Sequence, residues 1–156
     1  PGRSQELKSL GLPQPDQIGF VFRDIEKAVE RYQSIFGPFR TVDFGALDAS
    51  YRGAEPTPFQ LKFAFGNLGD LEIEFIQWVA GDTPHRDFIE SGREGVQHLR
   101  FRVDDIDLWV EKVKAIGFKL YWHGRSGPDV VFAYCDRADD CLVLEFLQAP
   151  PTAFLG

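Results

Sequence analysis

The chain nearly repeats itself, and this limits its possible folds more than any other feature. QIGFVFRDIEKAVERYQSIFG begins at Gln17 and HLRFRVDDIDLWVEKVKAIGF begins at His98, an offset of 81 residues. The copies share Phe20/Phe101, Asp24/Asp105, Ile25/Ile106, Val29/Val110, Glu30/Glu111 and Ile35/Ile116. LEIEFIQ from Leu71 and LVLEFLQ from Leu142 repeat at an offset of 71, matching Leu71/Leu142, Glu74/Glu145, Phe75/Phe146 and Gln77/Gln148. Gln17, Glu74, His98 and Glu145 head or interrupt these apolar runs, two in each copy. All four are of types that can bind a metal ion.

Each copy reads as a strand followed by an amphipathic helix. Gln17 to Phe22 forms the first strand, Asp24 supplies an N-cap, and Ile25, Ala28, Val29, Tyr32, Ile35 and Phe36 fall at helical spacing before Gly37-Pro38. Strands are expected near 40–47, 59–65 and 70–79, with Asn67-Leu68-Gly69-Asp70 as a tight turn. In the second copy, His98 to Val103 is a strand and Asp105 caps a helix carrying Ile106, Trp109, Val110, Val113 and Ile116. Strands follow near 118–123, 130–135 and 142–148. The expected fold is α+β, two tandem βαβββ modules forming a cupped mixed sheet with the helices outside.

The corresponding boundaries are an extended lead-in over 1–16 carrying Pro13 and Pro15, a first module over 17–80 and a linker with a short helix over 81–96. The second module covers 97–149 and a tail 150–156, all within one structural domain. The offset falls by ten residues within the repeat, so the first module holds a surplus. Its expected place is around Ala49 to Pro58, as a loop overhanging a site.

Composition narrows the function classes. With 156 residues, 44% of them hydrophobic and 14% aromatic, the chain can bury a substantial core. A net charge of −7 argues against a nucleic-acid partner, which usually requires a clustered basic face. No apolar run reaches the roughly 18 to 20 residues that span a bilayer, and the N-terminus lacks a signal-peptide pattern, so no membrane partner is expected and the expected location is cytoplasmic. Cys135 and Cys141 flank DRADD and are expected to be reduced thiols rather than a disulfide.

Strand alternation places Gln17, Gly19 and Val21 on one face of the first strand and Ile18, Phe20 and Phe22 on the other, against the helices. His98, Arg100 and Arg102 likewise oppose Leu99, Phe101 and Val103. Arg100 is therefore expected to project into the cup, where it neutralises Glu72 or Glu74 or grips an anionic group. Of the aromatics, some must line the cup and favour an apolar or acyl ligand, with Phe63 and Trp122 as candidates and His123 at the rim. His85, in TPHRDF, reads as a surface residue.

The motifs QIGFVFRDIEKAVERY, NLGDLEIEFIQ, GVQHLRFRVDDID and LVLEFLQ, in this order over roughly residues 16–149, resemble the vicinal oxygen chelate superfamily, and within it most nearly the methylmalonyl-CoA epimerase and glyoxalase I branch. The resemblance implies one divalent ion, Mn, Co, Ni or Zn, held by Gln17, Glu74, His98 and Glu145. It also implies a homodimer and a small-molecule substrate. An ion polarising a carbonyl acidifies the adjacent carbon, and a nearby carboxylate can take the proton. The expected activity is accordingly an isomerase or lyase working through an enolate on a CoA thioester or related acyl or 2-oxo compound. Glu145 is the preferred base and Glu74 its partner, with Arg100, Trp122, Phe63 and His123 as substrate contacts.

Two alternatives belong to the same fold: a metal-free protein that sequesters a small molecule, and a glyoxalase I-like lactoylglutathione lyase. Against the latter, Val21 and Trp78 stand where an arginine and an asparagine would contact glutathione. The epimerase branch also has a non-ligand glutamate on the strand before the second ligand, where this chain offers Gln60, Lys62 and Ala64.

Overall fold

The computed structural model describes residues 3–138 and 140–151. In chain order the elements are α1 (Arg3–Ser9), β1 (Gln17–Val21), α2 (Ile25–Phe36), β2 (Arg40–Tyr51), β3 (Thr57–Leu68), β4 (Leu71–Ala80), α3 (Pro84–Glu90), β5 (Gly95–Arg102), α4 (Ile106–Lys114), β6 (Lys119–Ser126), β7 (Val130–Asp136) and β8 (Leu144–Gln148). The strands close into a barrel in the order β1-β4-β3-β2-β6-β7-β8-β5. Each module contributes four adjacent strands in the same internal order, with β1 parallel to β4 and β5 parallel to β8. Two antiparallel seams, β1 with β5 and β2 with β6, join equivalent strands. The expected α+β architecture of two βαβββ modules is present, with the sheet fully closed.

Each helix starts for the same two reasons in both modules. The Asp24 carboxylate accepts from Lys27 N and that of Asp105 from Leu108 N, satisfying helix-end donors. A second acceptor comes from the sheet. Gln77 Oε1 accepts from Ile25 N and Gln148 Oε1 from Ile106 N, both at 3.0 Å. The repeated glutamine thus ties the last strand of each module to the start of its helix.

The apolar residues divide into three clusters. Ile25 and Ala28 of α2 pack on Ala64, Ile73 and Phe75. Ile106, Val110 and Val113 of α4 pack on Phe101, Leu144 and Phe146. Phe75 and Phe146 are both fully buried at equivalent positions, and truncating either to alanine costs about 3–5 kcal/mol. The third cluster fills the barrel interior with Val21, Phe59, Leu61, Ile76, Trp122, Phe132, Tyr134 and Leu147, and takes in Phe88 of α3.

Two expectations are corrected here. The lead-in is not wholly extended: Arg3–Ser9 is helical, and Leu7, Leu10 and Leu12 pack on the second module's outer cluster. The surplus around Ala49 to Pro58 is not a free loop either. β2 runs on to Tyr51 and β3 begins at Thr57, with Arg52 (φ 54°) and Gly53 (φ 76°) turning the chain. Ala49, Ser50 and Tyr51 pair with Gly124, His123 and Trp122, so part of the added length forms the second seam and covers an otherwise open sheet edge. Cys135 and Cys141 are free thiols, as expected.

Candidate metal centre and ligand cavity

Four consecutive barrel strands, β4, β1, β5 and β8, carry the four donor residues. Their registers form two rows. Glu74, Gly19 and His98 lie side by side in one, and Glu72, Gln17, Arg100 and Glu145 in the other. Gly19 is required by its neighbour: a Cβ there would lie 1.9 Å from His98 Cε1, so the imidazole occupies the space a side chain would fill. Between Gly19 and Phe20 the β1–β5 register shifts, leaving Gln97 as the additional residue of a bulge. Gln97 and His98 are consequently both buried, although simple alternation would separate them.

His98 Nε2 stands 3.0 Å from Gln17 Oε1, 3.0 Å from Glu145 Oε1 and 3.6 Å from Glu74 Oε1. The amide of Gln17 is oriented by Glu72, whose Oε1 accepts from Gln17 Nε2 at 2.6 Å, so Gln17 turns its oxygen inward. On the other side of the ring, Nδ1–H donates to Gln97 Oε1 at 2.6 Å. That bond fixes the tautomer and leaves a lone pair on Nε2. Four acceptors therefore face one another, an arrangement that calls for a shared cation or proton. Donors about 2.1 Å from one ion lie roughly 3.0–3.4 Å from each other, close to the separations here. Among the described residues no three His, Cys, Asp or Glu side chains form a metal site by themselves. With the amide oxygen of Gln17, three oxygens and one imidazole nitrogen face one another, a donor set of the chemical kind that an oxygen-rich divalent ion takes.

The electrostatics agree with that fit. Burial, and then the negative charge of Glu145, push the Glu74 carboxyl well above its usual range, with Arg100 opposing. A cation among the donors would reverse this, since it favours both carboxylates ionised.

Arg100 lines the cavity, with its guanidinium held by Asp16 and Glu72 rather than by the donor carboxylates. Its Nε and Nη2 each lie 3.0 Å from the two oxygens of Asp16, and Nη2 is 3.5 Å from Glu72 Oε1. Burial works against its charge, but the Asp16 bonds and the charges of Glu145 and Glu74 raise its pKa above the ordinary arginine value. Asp16, at the end of the lead-in, was not among the expected site residues. Its backbone bonds to Arg100 O and Glu72 N hold it in the β5–β1–β4 ladder.

Beside the donors lies a cavity of about 220 Å³ lined by Glu74, Glu145, Arg100, Phe63, Trp122 and further aromatic and aliphatic side chains. Phe63 and Trp122 both line this cavity. His123 does not: it is exposed on the opposite face of β6 from the buried Trp122. The inward face of β3 is Phe59, Leu61, Phe63 and Phe65, whereas Ala64 packs outward beneath α2, so this strand presents no acid to the cavity.

His85 is also corrected, since it is fully buried and lines the cavity. Helix α3 places Phe88 in the barrel's interior cluster, bringing His85 against Trp122 and Tyr134. The spacing of His85, Phe88 and Ile89 was the available signal, an apolar helical face containing one imidazole. Tyr134, likewise missed, places its hydroxyl 3.1 Å from His85 Nε2 and 3.3 Å from His98 Nδ1.

Residues 16–134 match the family model of the glyoxalase/bleomycin resistance protein/dioxygenase superfamily. The chain belongs to this superfamily. Human mitochondrial methylmalonyl-CoA epimerase is 25% identical over 143 residues, which cover 86% of this chain and 73% of that protein. Among solved structures, a hypothetical protein from Bacillus halodurans superposes with a TM-score of 0.63 at 19% identity, covering 90% of this chain and 96% of its own. A point variant of Streptomyces coelicolor methylmalonyl-CoA epimerase, in complex with 2-nitronate-propionyl-CoA, gives 0.63 at 17% identity, with coverage of 90% and 97%. Methylmalonyl-CoA epimerase from Mycobacterium tuberculosis gives 0.60 at 15%, with coverage of 92% and 97%. These structures share the fold. No helix among the described residues is long and apolar enough to cross a membrane.

Proposed function

We propose that the protein is a divalent-metal-dependent isomerase of the epimerase kind, moving an α-proton of an acyl-CoA thioester or related carbonyl compound. The observation that carries this reading is the convergence of Gln17, Glu74 and Glu145 oxygens on His98 Nε2, with Nδ1 already occupied by Gln97. Those four residues would hold the ion, which, when bound, polarises the substrate carbonyl and makes the neighbouring C–H more acidic.

The chain's own residues supply the proton transfers. Glu145 directs Oε1 to the donor centre, and its second oxygen serves as the proton acceptor. Glu74, which borders the cavity across from Glu145, is the partner that returns a proton from the other side. Arg100, held by Asp16, provides fixed positive charge on the cavity wall, and the aromatic lining keeps water from the carbanion. The homology to a human methylmalonyl-CoA epimerase supports a CoA thioester as the substrate class.

The test is α-hydrogen exchange of methylmalonyl-CoA in heavy water, with Mn, Co, Ni or Zn supplied in turn. Metal-dependent exchange is expected from the native chain, with loss in Glu145→Gln while metal binding persists. Undiminished exchange in that variant removes Glu145 as the base. The aromatic cavity also suits a second reading, metal-free sequestration of an apolar ligand. Failure of all four ions to bind or raise the Tm would favour that reading.

A further inference from the structure

The cavity contains a second polar place besides the four-donor centre. Among the described residues, His85 Nδ1 and Trp122 Nε1 are buried and have no hydrogen-bond partner. Both residues line the cavity, and their rings meet edge to face at 5.1 Å. Buried polar groups are normally paired, because an unmade bond leaves the full cost of desolvation. Two such atoms on one aromatic wall are a reason to look for what they bind.

The hydrogen-bond chain behind them settles what each can do. His98 gives its Nδ1 proton to Gln97 Oε1, the nearer acceptor at 2.6 Å, so Tyr134 is free to donate its hydroxyl proton to His85 Nε2. The proton of the neutral His85 ring then sits on Nδ1. Its burial keeps the ring neutral, lowering its pKa to about 3. Indole nitrogen is a donor only. Both unpaired atoms are therefore N–H donors, and the Tyr134 hydroxyl stands between the His85 ring and the Nδ1 edge of His98, whereas the carboxylates gather at its Nε2.

We propose that His85 and Trp122 form a second anchor of the cavity, a pair of N–H donors that receives a neutral carbonyl oxygen on the part of the bound molecule remote from the four-donor centre. A carboxylate suits the place less well, because Glu74 and Glu145 already border the same enclosed space. The anchor rests on the reading of this cavity as the substrate site, and on neither a metal nor a reaction. It would select acyl groups bearing a second oxygen over plain hydrocarbon chains of equal size.

The test uses metal-free full-length protein and a matched pair of probes, cyclohexanone and methylenecyclohexane, which differ only in C=O against C=CH2. Binding is followed by the indole N–H resonances, with Trp78 and Trp109 as internal references. Cyclohexanone is expected to bind about tenfold more tightly and to move the Trp122 resonance. Trp122→Phe and, separately, His85→Leu should each reduce that preference several-fold while methylenecyclohexane binding remains. Two variants guard against one failing to fold. Equal affinities with an unmoved indole resonance, or no binding by either probe, overturn the proposal, as does tighter binding of cyclohexanecarboxylate. Because no metal or turnover is involved, loss of the anchor and loss of the isomerase reading register in different experiments.

Discussion

The two modules are alike where they meet their helices and unlike where they face the cavity. Asp24 and Asp105, Gln77 and Gln148, and Phe75 and Phe146 perform the same tasks at equivalent places. On the inner face, Gln17 corresponds to His98, and Gly19 to Arg100. The first module gives an amide oxygen and a bare stretch of backbone, and the second an imidazole and a guanidinium. The imidazole lies over the glycine, so one half is hollow where the other is full. A duplicated scaffold conserves what holds each unit together, and can diverge wherever two side chains share one space.

The equivalent carboxylates give the largest test of this asymmetry. Glu145→Gln is expected to reduce heavy-water exchange of one enantiomer at least about 100-fold, whereas Glu74→Gln should spare that enantiomer and lose exchange of the other, either change abolishing inversion. Identical losses, measured by mass spectrometry on each enantiomer, would make the two halves chemically equivalent. Gly19→Ala comes next. The new methyl group overlaps the His98 ring, so metal affinity measured by calorimetry should fall about 10- to 100-fold and the fold should lose about 1–3 kcal/mol. Retained affinity would show that the hollow is not needed.

Helix α3 lies between the repeats, and its His85 tests whether the asymmetry extends to pH. The unfolded imidazole takes a proton near pH 6.5, but the folded one only near pH 3. Over that window the unfolded chain binds the additional proton, so stability falls as acid is added, by about 1.4 kcal/mol per pH unit. Denaturant melts at several pH values should show this slope flattened in His85→Leu, and an unchanged slope would contradict the burial argument. The smallest effects belong to the symmetric parts. Gln77→Ala and Gln148→Ala should each cost about 1 kcal/mol and agree within about 0.5. Clearly unequal costs would break the likeness of the two outer faces.

Much of the fold was legible because period-two and period-3.6 patterns recur twice in register, and four donors could be placed by alternation from Gln17, Glu74, His98 and Glu145. What was hidden depends on events that periodicity does not encode. The bulge at Gln97 puts two neighbouring residues into the interior together. Barrel closure turns the ten surplus residues partly into a seam, and that pairing places His123 outside. Asp16 is recognisable only once Arg100 is seen to need a counterion, and His85 only once α3 is seen to pack into the barrel.

The glutamine that holds each helix lies three residues after the carboxylate that faces the cavity. An odd interval puts the two on opposite sides of one strand. Sliding that strand by a single residue would pull the acid out of the barrel and the amide away from the helix in the same movement. The short E-F-x-Q word therefore works as a parity check on assembly, in which a misaligned strand fails two readers at once. A chain carrying the word twice can be expected to tolerate substitutions around it far better than an inserted or deleted residue within it.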